Sequence, residues 1–263
     1  LVMKKSWFLP LFFLFTLCVT SVYSQTASWT QLGADIDGEA AGDQSGYSVS
    51  YSADGTKVAI GAFNNDGGPG SNAGHVRIYN YTPSGTASWT QLGADINGEA
   101  SADYSGHSVS LSADGTKVAI GAYGNDGSAS NAGHVRIYNY TPSGTASWTQ
   151  LGADINGEAS GDVSGWSVSL SADGTKVAIG AIDNDGTAES AGHVRIYNYN
   201  GTAWTQLGAD IDGEASGDQS GHSVSLSADG TKVAIGANRN DDGPGSNAGH
   251  VRIYNYTPSG TAS

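Results

Sequence analysis

Cysteine and methionine occur once each, as Cys18 and Met3, and both fall within the first 24 residues. With no thiol after residue 24, disulfides contribute nothing to the stability of the remainder, and no Cys/His or zinc-type spacing exists there. Proline is scarce, at 6 residues, and charged side chains make up only 14% of the chain. Basic residues are the rarest charge. Lys4 and Lys5 lie in the leader, so 11 − 2 = 9 basic residues face 25 acidic ones, a balance of 9 − 25 = −16 for the rest with His neutral. Such a chain repels nucleic acid and is suited to cations, neutral glycans or other proteins. The longest apolar run, Trp7 to Val19, is interrupted by Pro10 and is too short for a membrane anchor.

That run has the form of an address. Met3 is followed by Lys4 and Lys5, the apolar stretch, and then Val22-Tyr23-Ser24, whose small residues at −3 and −1 suit signal peptidase. Residues 1–24 are therefore expected to be a secretory signal peptide and 25–263 an exported domain, secreted or held at the cell surface, with no membrane span after cleavage. Glycine, at 39 of 263 residues, is about twice its usual share and points to many tight turns. An all-β chain follows.

The eleven residues SADGTKVAIGA begin at Ser52 and return at Ser112, Ser171 and Ser227. Trp29, Trp89, Trp148 and Trp204 each open a WTQLGADI segment, at periods of 60, 59 and 56 residues. Repeats 29–88, 89–147, 148–203 and 204–263 therefore account for everything after the leader. Four segments in each period have strand character, in the first copy SWTQLGADI, GYSVSYS, TKVAIGA and HVRIYNY. Length differences between copies fall between these segments, never inside them.

Four antiparallel strands per period of about 60 residues describe a β-propeller blade, because β-helix coils are much shorter. A blade has two apolar faces that only neighbouring blades can cover. The strand Trp29 to Ile36 precedes the first three-strand set, and the last set ends at Tyr256 without a Trp strand of its own. The N-terminal strand thus has a place in the last blade of a closed four-blade ring. The pattern expects another Trp after Ser263, so a fragment of a larger propeller fits equally.

The stretch SGYSVSYSADGTKVAIGAFNNDGGPGSNAGHVRIYNY resembles the FG-GAP repeat of integrin α-subunit propellers and of many exported bacterial proteins, over residues 29–263. Ser45-Gly46 stands for the family's Phe-Gly, and Phe63, Tyr123, Ile182 and Asn238 replace its Pro. The family's calcium loop, of Asp-x-Asp-x-Asp-Gly type, is reduced here to Ala53-Asp54-Gly55. One carboxylate cannot supply the roughly six to eight oxygens calcium takes. Asp54, Asp114, Asp173 and Asp229 are accordingly turn residues. The resemblance implies an extracellular adhesion or recognition module.

Two loops per copy meet on the opposite rim. They gather Glu39, Asp43 and Asp66, then Glu99, Asp103 and Asp126, then Glu158, Asp162 and Asp185, and finally Glu214, Asp218 and Asp241. These are the candidate metal ligands, with calcium the one cofactor they suggest, and solvated turn-capping loops the alternative. His75, His134, His193 and His250 begin the third strand, far from the axis, and are read as structural, as are Arg77, Arg136, Arg195 and Arg252. Tyr47, His107, Trp166 and His222 occupy one position that varies where its surroundings do not, with Phe63 and Tyr123 nearby on the same rim; these are the candidate ligand contacts. Near-identical blades give each carboxylate the same surroundings, so catalysis is not expected. The functional expectation is a secreted or surface β-propeller that binds an extracellular protein or glycan. Alternatives are a scaffold without a ligand and the propeller portion of a larger extracellular enzyme.

Overall fold

The structure, a computed structural model, describes residues 27–83, 88–142, 147–243 and 245–258. The expected signal peptide, 1–24, lies outside the described residues. The fold is that of the unit Leu32–Ser263. No described residue is helical.

Blade 1 holds β1 (Ser48–Tyr51), β2 (Lys57–Ala62), β3 (His75–Thr82), β4 (Ser88–Gln91) and β5 (Ile96–Asn97). Blade 2 repeats them as β6 (Ser108–Leu111), β7 (Lys117–Ala122), β8 (His134–Thr141), β9 (Ser147–Gln150) and β10 (Ile155–Asn156). Blade 3 comprises β11 (Ser167–Leu170), β12 (Lys176–Ala181), β13 (His193–Tyr199), β14 (Trp204–Gln206) and β15 (Ile211–Asp212). Blade 4 holds β16 (Ser220–Leu226), β17 (Lys232–Ala237) and β18 (His250–Asn255). All pairings within blades are antiparallel, and the first four strands of blades 1 and 3 pair in sequence order, the up-and-down order of a propeller blade. Each Trp segment after the first closes the blade that precedes it in sequence. It is also two strands rather than the one expected: Gly93 has φ of 80°, the chain turns aside there, and β4 and β5 pair separate stretches of β3.

The inner hairpin shows why its residues repeat. In the first copy Gly55, at φ of 69°, makes the turn, while Asp54 Oδ1 accepts from Ser52 Oγ at 2.6 Å and from Thr56 N at 2.9 Å. These donors, Ser52 first, hold the Asp54 carboxyl down at about 2, and Asp229 is held there by its own Ser227 and Thr231. The turns also join blade to blade. Ala53 N donates to Ala113 O, Ala113 N to Ala172 O, and Ala172 N to Ala228 O, each at 2.8 Å.

Strand alternation gives each blade two unlike faces. One presents Ser48, Ser50, Ala59, Gly61, Val76 and Ile78; the other presents Val49, Tyr51, Val58, Ile60 and Tyr79. The first face of blade 1 packs on the second face of blade 2, where Ala59, Val76, Ile78 and Ile96 meet Leu111, Val118, Ile120 and Tyr138. Blades 2 and 3, and then 3 and 4, repeat the contact. Along the inner strands the small face lets backbones touch. Ser48 Oγ donates to Gly106 O at 2.6 Å, Leu111 N donates to Ser50 Oγ at 2.9 Å, and a Cβ on Gly61 would sit 2.0 Å from Gly106 O. Farther out, Val, Ile, Tyr and Trp side chains fill the space between the sheets.

A polar clasp closes the outer end of each contact. Arg136 Nη2 donates to Asn97 O and Arg195 Nη2 to Asn156 O, both at 2.8 Å, while Trp148 Nε1 and Trp204 Nε1 donate to Leu92 O and Leu151 O at 2.7 Å. Each Arg also lies over the Tyr two residues on, as Arg136 does over Tyr138 at 5.6 Å. Among the described residues β18 pairs only with β17, so the fourth sheet has three strands and the four blades do not close a ring.

Gly121 faces Gly165 O as Gly61 faces Gly106 O, at 2.0 Å from an added Cβ. Gly121→Ala should therefore destabilise the chain by about 1–3 kcal/mol in urea unfolding. Gly245→Ala, where an added Cβ meets nothing within 4 Å, should leave the midpoint within error. Equal midpoints for both variants would contradict the close approach.

Candidate functional site

One rim is built from the loop that enters each inner strand and the loop that leaves the second strand. The entering loop ends in a tight turn, Tyr47 N to Gln44 O at 3.1 Å in copy one, repeated as His107 to Tyr104, Trp166 to Val163 and His222 to Gln219. The residue at the head of that turn has positive φ in every copy: Gln44 at 54°, Tyr104 at 56°, Val163 at 52° and Gln219 at 55°. No glycine relieves it, and for β-branched Val163 the conformation is strained. The turn aims positions 47, 107, 166 and 222 along the rim.

There the rings touch in one row. Tyr47 lies 4.4 Å from Phe63 and 5.0 Å from His107; His107 lies 4.7 Å from Tyr123 and 4.5 Å from Trp166; Trp166 lies 6.0 Å from His222, all between ring centroids. All six candidate ligand contacts thus fall on one surface that crosses four blades. Tyr104 belongs to it as well, stacked on Tyr123 at 5.0 Å with planes 4° apart. Its signal was present in the sequence: position 44 and its equivalents vary between copies while their neighbours do not. Gly124 answers it, since a Cβ there would meet the Tyr104 ring at 2.7 Å. Ile182 and Asn238 take the places of Phe63 and Tyr123 in blades 3 and 4, and the row narrows there to Trp166 and His222. His107 is buried, its Nδ1 lies 3.2 Å from Trp166 O, and burial lowers its pKa despite that contact. Tyr47 stands exposed at the blade 1 end, and Tyr123 is half-buried with its phenol pKa raised by burial.

The acidic residues expected to share one metal shell have three different employments. Asp43, Asp103, Asp162 and Asp218 are buried and staple their loops: Asp162 Oδ2 accepts from Ala159 N at 2.9 Å and from Asn184 Nδ2 at 3.1 Å. Asp43 and Asp218 bond in the same way to Asn65 and Asn240, and Asp103 to Ala100 N. Asp66, Asp126, Asp185 and Asp241 cap the other loop, accepting from the backbone N of Asn72, Asn131, Ser190 and Asn247. Glu39, Glu99, Glu158 and Glu214 turn instead to the clasp, at 3.3–3.7 Å from Arg77, Arg136, Arg195 and Arg252.

Residues 209–254 match the family model of the FG-GAP repeat. That segment is an FG-GAP repeat. Its VSLSADGTKVAIGA core, Val224 to Ala237, recurs from Val109 and Val168, and with a single change, Tyr51 for Leu, from Val49. Among solved structures, the chain is similar to Kuenenia stuttgartiensis hydrazine synthase, at 12% identity and a TM-score of 0.49, over 84% of this chain and 49% of that one. It thus spans about half the length of that chain. No curated protein matches it.

Within the first three copies the third-strand histidine has company that the sequence did not reveal. Glu39, His75 and Asp95 converge, as do Glu99, His134 and Asp154, and Glu158, His193 and Asp210, with donor atoms within 4.8 Å of one another. Each group holds one imidazole, so the four histidines stay apart, and Arg77, Arg136 or Arg195 already places its positive charge against the shared Glu. His134 is 1% exposed and neither ring nitrogen has a hydrogen-bond partner. Burial, aided by the Arg136 guanidinium, pushes its pKa from 6.5 down to about 4; burial lowers His75 and His193 too.

The unfolded imidazole therefore takes a proton below about 6.5 and the folded one only below about 4. Unfolding binds protons in that window, so the stability is whole above pH 6.5 and is lost as pH falls towards 4. Urea midpoints should fall between pH 6.5 and 4 in the native chain and fall less steeply in His134→Gln. Parallel pH profiles would contradict the buried neutral imidazole.

Proposed function

We propose that this FG-GAP propeller module is a non-catalytic recognition surface for extracellular ligands, and that neutral glycan is the class it fits best. The observation that carries the reading is the aromatic row Tyr47, Phe63, Tyr104, His107, Tyr123, Trp166. Rings offer C–H and hydrophobic stacking to sugar faces at low entropic cost, and aromatic residues dominate recognition hot spots. The overall negative charge disfavours anionic ligands and tolerates neutral or cationic ones. Divergence between copies supports the same surface. Residues are held constant where blades pack and change at positions 44, 47, 63 and 64 and their equivalents, which is where a ligand would be read.

In this reading the loop carboxylates serve the loops, since each aspartate accepts from its own backbone or from a neighbouring Asn. Calcium is not required. Thermal unfolding in millimolar calcium and in chelator should give overlaying curves; a midpoint raised by several degrees in calcium would add a metal to the rim, as mass action requires of a folded-state site. The catalytic alternative finds no support in the carboxylate and imidazole groups, which sit in the same surroundings in three blades and are each paired with an arginine.

Binding is tested on a panel of immobilised neutral and acidic oligosaccharides and extended peptides, with tryptophan fluorescence as readout. The native chain should bind neutral glycans, and Trp166→Ala should weaken that binding by about thirtyfold, the loss of one hot-spot ring. Lys232→Ala, an exposed residue at the end of β17 opposite the rim, should leave it unchanged. Binding confined to peptides would replace the glycan reading with a protein ligand, and glycan binding indifferent to Trp166→Ala would move the site off the row.

A further inference from the structure

The two terminal blades each expose half of a contact that the chain makes three times inside itself. On blade 4, Val251 and Ile253 are 66% and 74% exposed, whereas Val76 and Ile78, their counterparts on blade 1, are 0% and 1%. On blade 1, Val49 and Tyr51 are 60% and 58% exposed, whereas Val168 and Leu170 on blade 3 are 9% and 7%. The open face of blade 4 is the small one and the open face of blade 1 the large one. They are complementary by the same residues that join blades 1 to 2, 2 to 3 and 3 to 4.

We propose that blade 4 of one copy of this chain docks on blade 1 of a second copy, continuing the internal blade contact from molecule to molecule. The chain beside blade 1 is already arranged for it. Trp89 Nε1 donates to Leu32 O at 2.7 Å and Arg77 Nη2 to Asp37 O at 2.7 Å, the same bonds that Trp148 and Arg136 make to Leu92 O and Asn97 O of the preceding blade. Residues 32–37 thus hold, against blade 1, the position of a preceding blade's outer segment, although no blade precedes them in this structure. Among the described residues, blade 4 has no such segment. Docked in the repeated register, Val251 comes opposite Ile36 as Val76 comes opposite Ile96, and Ile253 O meets Leu32 N as Ile78 O meets Leu92 N. The partner's segment then supplies the fourth strand. Glycine geometry agrees. An added Cβ on Gly61, Gly121 or Gly180 runs into the next blade's carbonyl at 2.0–2.1 Å, but on Gly236 it meets only Ser223 of its own blade, leaving room for a backbone to approach.

The contact is heterologous, two different patches on each copy, so it closes into a ring or grows according to the rotation it imposes. Two copies of the four described blades carry 4 + 4 = 8, the upper end of the roughly 4–8 that propellers close with. A closed pair is therefore the expected product.

Sedimentation velocity of the purified chain over a hundredfold concentration range tests this, with Ile253→Lys and Tyr51→Lys, two exposed positions, as variants. The native chain should form dimers; each variant alone should be monomeric with an unchanged circular dichroism spectrum. Mixed one to one, the variants keep one intact contact between the blade 4 face of Tyr51→Lys and the blade 1 face of Ile253→Lys. They should form a heterodimer that does not grow. A native chain that is monomeric throughout, whether with open ends or closed on itself, overturns the proposal, and so does assembly that both variants leave unchanged.

Discussion

Backbone meets backbone between consecutive blades, and the rest of the molecule is arranged around that approach. A glycine in the second strand of one blade lies against the carbonyl of a glycine at the start of the next, with serine hydroxyls tying the inner strands together on either side. No β-carbon fits between them. Because one face of the blade is small at this line and the opposite face is bulky, only a second blade of the same sequence offers the matching surface. The near-identity of the copies is thus a packing requirement: a change in one face must be answered on the facing blade. It also explains where change is permitted. The rim loops lie beyond the approach, and there the copies carry Tyr, His, Trp and His at one position and Phe, Tyr, Ile and Asn at another.

Electrostatics follow the same division. The acidic excess looks free in the sequence, yet eight rim aspartates are committed to holding loops and Glu39, Glu99, Glu158 and Glu214 to the arginine clasps between blades. Each clasp combines a guanidinium bond to the preceding blade's outer backbone, a glutamate and a tyrosine face. The adjacent histidine is buried without a hydrogen-bond partner at His134 and stays neutral well below its ordinary range. Beside these acids the rim carries aromatic surface. That contrast, with twelve rim acids spoken for and the rings in one row, supports the proposed reading in which the rings rather than the carboxylates meet the ligand.

Much of this was legible before any coordinates. Strand alternation in KVAIGA and HVRIYNY located the ladders, insertions and deletions located the loops, and variation against a constant background singled out Tyr47, His107, Trp166 and His222 as candidate contacts, which the fold brings to one surface. Other features depend on contacts that a linear pattern does not encode. WTQLGADI reads as one strand, but Gly93 and its equivalents turn it into two. The acids looked like one cluster because they are near in sequence, whereas hydrogen bonding distributes them among three tasks. Asp95, Asp154 and Asp210 join histidines about 20 residues away across strand pairing, with no spacing to announce them. Ring closure, which matching ends suggested, is not present among the described residues; the matching ends remain, as open faces.

The central claim is that a blade has no stability apart from its neighbours. Amide hydrogen exchange, read residue by residue under native conditions, addresses it directly through Leu111 and Leu170, whose amides donate to Ser50 and Ser110 across the blade contacts at 2.9 Å. If blades part only when they unfold, these amides exchange as slowly as those inside the ladders of β7 and β12, and all slow down or speed up together with denaturant. If Leu111 and Leu170 exchange quickly while the β7 and β12 ladders stay protected, blades are stable units that merely touch, and the account fails.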